Sequence, residues 1–200
     1  MNITREKSLL RASMRSKLVA ASPKELEDAS MLIVAALEEL PELKSARYIA
    51  SYVPLPREPN ILPFLRHVVE EKGRLIVPVT RFSNHVLGEI HSFDELIQTP
   101  RGLKEPAPEC FRAFLPEKVE VMLVPGLAFD VRGMRLGRGQ GFFDKILARA
   151  SKCVAVGVAF DFQIVRHVPC EEHDMPVHKL VTEKRIISCV GHREGTRGTF

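Results

Sequence analysis

Residues 119–144 read VEVMLVPGLAFDVRGMRLGRGQGFFD, and this stretch decides the fold. Positions 119–124 carry the β-branched, apolar character of a strand buried on both faces. Residues 125–130 predict a loop, the glycines that follow predict a turn, and 140–150 predict a helix leading to a further strand at 153–160. A strand, a helix and a second strand joined this way form a crossover unit, which requires the strands to pair in parallel.

Working outward, 47–53 (RYIASYV) and 74–79 (RLIVPV) read as strands, with a helix over 61–72 between them that closes at Gly73. Ser22-Pro23-Lys24-Glu25 has the spacing of a capping box and opens a helix running to about Leu40, before Pro41. Residues 85–91 predict a weaker strand, 99–116, with prolines at 100, 106, 108 and 116, an irregular surface connection, and 179–190 a last strand or pair. The alternation predicts a single α/β domain over 1–190, a mostly parallel, doubly wound sheet flanked by helices, with a flexible tail over 191–200. In such a sheet, ligands bind beyond the carboxyl ends of the strands.

The composition, 45% hydrophobic and 27% charged in 200 residues, excludes wholesale disorder, and no apolar run is long enough for a membrane-spanning helix. Four scattered cysteines without a C-x-x-C pair argue against a disulfide scaffold or a structural zinc site and for a reducing, cytoplasmic setting. The formal charge of +4 is unevenly placed, because residues 1–24 and 131–152 each hold six basic residues against one acid. Two cationic clusters on an otherwise acidic chain suggest a local anion site rather than a nucleic-acid surface, the alternative being two solvated helix faces.

In the first cluster Lys7, Arg11 and Arg15 recur every four residues beside a stripe of Leu10, Met14 and Leu18. That pattern predicts a docked helix with one cationic edge, although an Arg-rich, acid-poor start is also how a transit peptide reads. The second cluster contains Arg135-Leu136-Gly137-Arg138-Gly139-Gln140-Gly141-Phe142-Phe143-Asp144. Alternating glycines let backbone N–H groups approach an anion, the following helix presents its positive end, and two arginines add charge. An ordinary tight turn is the alternative reading. The loop is not a P-loop, because no Gly-Lys dipeptide occurs in the chain.

These residues, in this order, resemble the 5-formyltetrahydrofolate cyclo-ligase family. The resemblance is carried by Lys7-x-x-x-Arg11, Glu58, the run from Val124 to Asp130, the glycine loop, Ala159-Phe160 and His173-Asp174-x-Pro176-Val177. It implies ATP-dependent closure of 5-formyltetrahydrofolate to 5,10-methenyltetrahydrofolate, with release of ADP and phosphate and with Mg²⁺ as cofactor. On that resemblance Lys7, Arg11, Arg135, Leu136, Gly137, Arg138, Gly139, Gln140, Gly141, Phe142 and Phe143 bind ATP. Val53, Glu58, Arg138, Gly139, Gln140, Gly141 and Phe142 face the reduced folate, Arg138 and Gln140 lie at the reacting groups, and Asp144 and Asp174 serve the metal. The protein would be a monomer or weak homodimer. The chain departs from the family pattern at Gln140, at Phe142-Phe143 in place of two tyrosines, at Asn60-Ile61, and at His178 in place of an aspartate. A non-catalytic nucleotide or folate binder and a sugar-phosphate isomerase or hydrolase are the competing readings.

Overall fold

In a computed structural model, which describes residues 2–82 and 85–189, helix α1 (Ile3–Ala20) starts where the Asn2 side chain accepts a hydrogen bond from the Thr4 N–H at 3.0 Å. The expected capping box opens α2 (Pro23–Glu39): Ser22 Oγ accepts from the Glu25 N–H, and the Glu25 carboxylate accepts from the Ser22 N–H. Pro41 then starts a further short helix, α3 (Pro41–Ser45), rather than only ending α2. Strand β1 (Ile49–Ser51), helix α4 (Leu62–Lys72) and strand β2 (Leu75–Val79) form the first crossover, and Gly73 closes α4 with a left-handed φ of 68°.

Beyond β2 the chain forms β3 (Val86–Ile90), β4 (Leu96–Gln98), β5 (Lys104–Pro106), β6 (Arg112–Phe114) and β7 (Val121–Pro125). It continues through a short hairpin, β8 (Ala128–Phe129) and β9 (Arg135–Leu136), to helix α5 (Phe142–Arg149). Strands β10 (Val154–Val158), β11 (Lys179–Val181) and β12 (Ile186–Ser188) complete the description, and the tail at 191–200 lies outside the described residues. The main sheet runs β12-β11-β10-β7-β1-β2-β3-β6. Its centre, from β11 to β2, is parallel, and β12, β3 and β6 add antiparallel edges.

The two crossovers diverge from the central pair: β1 passes through α4 to β2 on one side, and β7 passes through α5 to β10 on the other. Crossovers of one hand that run in opposite directions place their helices on opposite faces of the sheet. Phe64, Leu65 and Val68 of α4 accordingly pack in one core with Ile49, Leu75 and Leu123, together with Met14 and Leu18 of α1 and Ile33 and Leu37 of α2. Ile146 and Leu147 of α5 pack in a second core with Ala50, Ile76 and Met122. Each fully buried apolar side chain contributes roughly 1.5–3 kcal/mol, so α1 is held by its apolar stripe, as its spacing predicts. The point where strand order reverses, between the carboxyl ends of β1 and β7, is the switch-point crevice of a doubly wound sheet.

Two further segments differ from the sequence reading. The stretch 99–116 is not wholly irregular, because β5 pairs with β4 and β6 pairs with β3 as an edge strand of the main sheet. The 125–130 loop contains β8, whose partner β9 holds Arg135. No helix among the described residues is long and apolar enough to cross a membrane.

Candidate active site

A cleft of about 1060 Å³ opens at the switch point, and its lining includes every residue that the resemblance assigns to ATP, folate or metal. Tyr52, Val53 and Glu58 come from the chain leaving β1, and Pro125 and Gly126 from the end of β7. Residues 135–144 form one wall, and Lys7 and Arg11 reach in from α1. Thr80, Arg101, Lys104, Glu105, Lys145 and Glu171 also line it, and these the sequence reading missed.

The glycine loop has the backbone that a cradle needs. Gly139 and Gly141 have φ of 107° and 63°, a region that side chains disfavour. Gly141 is the N-cap of α5, which therefore begins at Phe142 rather than Gln140, and no side chain caps it. Its first N–H groups are thus free of a competing side-chain acceptor and lie beside the cleft, where an anion is favoured. Phe142 and Phe143 line the wall with ring centroids 5.5 Å apart, Phe142 also lies 5.1 Å from His85, and the Arg135 guanidinium sits 5.7 Å from the Phe143 ring.

The predicted cations are not equally free. Arg135 is buried and donates to Asp144 Oδ2 at 2.9 Å and to the Pro125 carbonyl at 3.4 Å, so it ties the hairpin to α5 and β7. Lys7, only 9% exposed in its side chain, donates to Asp174 Oδ2 at 2.5 Å and to Glu171 Oε2 at 2.7 Å. Burial works against the Lys7 charge, but the hydrogen bonds and charges of Asp174 and Glu171 outweigh it and raise the ammonium pKa. Burial likewise works against the Asp174 charge, and hydrogen bonds from Lys7 and the Glu171 N–H hold its carboxyl below the usual range. Arg138 donates from Nη2 and Nε to Glu58 Oε1 at 2.7 and 3.1 Å, while Glu58 Oε2 accepts from the Leu55 N–H. Arg11 donates to the Gly137 carbonyl at 3.0 Å and, among the described residues, has no carboxylate partner.

The 3–183 span matches the family model described as the 5-formyltetrahydrofolate cyclo-ligase family. The chain belongs to that family. Its relatives include the 5-formyltetrahydrofolate cyclo-ligase of Mycolicibacterium smegmatis, 34% identical over 70% of this chain and 76% of that protein. The Escherichia coli K12 protein of the same name is 28% identical over 86% of this chain and 98% of its own. The solution structure of Aquifex aeolicus 5,10-methenyltetrahydrofolate synthetase superposes with a TM-score of 0.83 at 35% identity, covering 94% of each chain.

Two of the four departures from the cyclo-ligase pattern fall outside the cleft lining. Ile61 is fully buried and Asn60 Oδ1 accepts from the Leu62 N–H at the start of α4, while His178 Nδ1 accepts from the Ala155 N–H. Gln140 and the Phe142-Phe143 pair remain in the site. The metal candidates are both engaged: Asp144 accepts from Arg135 and the Met175 N–H, and Asp174 from Lys7 and the Glu171 N–H. Among the described residues no group of three His, Cys, Asp or Glu side chains is placed to hold an ion. Each carboxylate keeps unused lone pairs, so the donor set fits a largely hydrated divalent cation and not a preformed cage. Burial pushes the Cys153 thiol up to about 12 and, with the Asp130 charge, the Cys189 thiol up to about 11, so neither supplies a thiolate at neutral pH.

Proposed function

We propose that the cleft closes 5-formyltetrahydrofolate to 5,10-methenyltetrahydrofolate at the expense of ATP. One observation carries the reading: an uncapped helix start behind a glycine cradle, and an acidic residue suited to a pterin, face the same crevice. The reaction needs two substrates side by side. The formyl oxygen attacks the γ-phosphorus and ADP leaves, N10 then attacks the activated carbon and loses its proton, and the C–O bond breaks to release phosphate. No protein nucleophile takes part, so the chain's task is to position both substrates and to balance charge.

Arg11 and the N–H groups of 139–143 are suited to the phosphates, with Arg138 able to swing from Glu58 toward the transferred group. Glu58, once released, offers both carboxylate oxygens to the N–H groups of the pterin, and Phe142 and Val53 give apolar contact. Lys7 and Arg135 act through Asp174 and Asp144, holding the carboxylates that would bind Mg²⁺. Bound there, Mg²⁺ would offset charge on the transferring phosphoryl. Gln140, in the loop and not in the helix, offers an amide donor to the same group.

The readings as a passive binder and as an isomerase are separated from this one by a single assay. Absorbance of the methenyl product should rise only with 5-formyltetrahydrofolate, ATP and Mg²⁺ together. Binding without product would favour the passive binder, and thermal stabilisation by sugar phosphates but not ATP the isomerase.

A further inference from the structure

Glu105 lies on β5, is 1% exposed, and lines the cleft. Its Oε1 accepts from the Thr80 N–H at 2.7 Å and from Thr80 Oγ1 at 2.6 Å, which fixes the carboxylate over the end of β2. Its Oε2 is buried with no hydrogen-bond partner among the described residues. Three other buried side-chain atoms share that condition, on Glu42, Arg74 and Arg135, but each belongs to a group in an ion pair, with Lys179, Glu89 and Asp144 respectively. Glu105 is in no ion pair among the described residues. A buried carboxylate with neither a cation nor a full set of donors is costly, and in native structures such a group calls for an explanation.

Its place along the cleft supplies one. The lining follows the strand order, with the glycine loop beyond β7, Val53 and Glu58 beyond β1, and Pro78, Thr80 and Glu105 at β2. β1 and β2 pair with Ala50 opposite Ile76, so Thr80 and Glu105 lie about one strand spacing, roughly 4.8 Å, from the chain at Val53, and Thr80 also shares a smaller pocket with Gln140 and Phe142. A ligand held at Glu58 and lying along Val53 and Phe142, the positions read above as facing the folate, meets it there. A carboxylate oxygen accepts hydrogen bonds, and the N–H groups of a reduced folate are donors of the kind that the unpaired oxygen lacks.

We propose that Glu105 is a positioning residue for the reduced folate, its Oε2 accepting a hydrogen bond from an N–H of that substrate while Thr80 holds Oε1. The proposal rests on the cyclo-ligase reading above. In Glu105→Gln the amide oxygen keeps the Thr80 contacts and the NH₂ replaces Oε2, turning an acceptor into a donor without changing size. The folate KM should rise at least about tenfold with the ATP KM within about twofold of wild type. A folded Glu105→Gln with an unchanged folate KM, or with both KM values raised in parallel, overturns the assignment. Thr80→Val decides if that variant does not fold: it loosens Oε1 alone and should raise the folate KM about threefold with the ATP KM unmoved, and an unmoved folate KM rejects the role. Failure of the wild-type protein to make methenyl product sinks the functional reading itself, whereas an active wild type with an indifferent Glu105→Gln sinks only this inference.

Discussion

Lys7 links the first helix to the far end of the chain, and removing its charge exposes what that link does. Lys7→Met keeps most of the apolar stem in place and deletes the ammonium. Asp174, 12% exposed in its side chain, then retains the Glu171 N–H at 2.8 Å but no cation of comparable proximity. Breaking a buried pair from one side costs roughly 3–5 kcal/mol, and the surviving N–H places this case near 3. For a chain of this size that corresponds to a fall in Tm of about 6–12 °C. Asp174→Asn leaves Lys7 with Glu171 at 2.7 Å and should cost only about 1–2 kcal/mol. The double variant should therefore cost less than the sum of the two, by about 1–2 kcal/mol, in a denaturation cycle. The ATP KM of the double variant should be raised even though stability is partly recovered, because the carboxylate that would hold Mg²⁺ beside the phosphates is gone. Additive stabilities, or a Lys7→Met protein as stable as wild type, would refute the reasoning.

The same pair sets a pH window. Asp174 has a lowered pKa, so its contribution is present above about 3.9 and is lost as pH falls through the folded value; Lys7 has a raised pKa, so its contribution is present below about 10.4 and is lost as pH rises through the folded value. The difference in Tm between wild type and the double variant should be flat across neutral pH and shrink at both extremes. Arg138 is half-exposed, so its bond to Glu58 is a weak surface pair of about 0–1 kcal/mol that phosphates can displace. ATP should accordingly tighten folate binding up to about fivefold by calorimetry, and Arg138→Ala should abolish that coupling and lower turnover at least about tenfold. A chain beginning at Ser22 loses the buried Met14 and Leu18 as well as Lys7 and Arg11, and circular dichroism melts should show it less stable and the product assay inactive.

Local signals were legible where one stretch of chain determines the outcome. The four-residue spacing of Lys7 and Arg11 put both in the cleft, and the glycines at 139 and 141 take the positive φ that made them worth noting. The capping box at Ser22 and Glu25 formed because both partners lie within one turn. What the sequence did not disclose depends on distant partners. The engagement of Lys7 joins residues more than 160 positions apart, so its spacing predicts a cationic helix edge but not the carboxylates that pair it. Glu105 carries no such signal, because it lies among prolines on a strand of three residues whose one pairing among the described residues is with β4. Strands that short have no periodicity to read, and their existence follows from tertiary pairing. The free oxygen of Glu105 has no sequence signal at all.

The central claim is that one cleft couples phosphoryl transfer from ATP to ring closure of the folate, and stoichiometry tests it most directly. With 5-formyltetrahydrofolate, ATP and Mg²⁺ present, the methenyl product followed by absorbance and the ADP followed by chromatography should appear in equal amounts, and neither should appear when either substrate is omitted. ADP release that is indifferent to the folate, or methenyl product formed at the same rate without ATP, would contradict it.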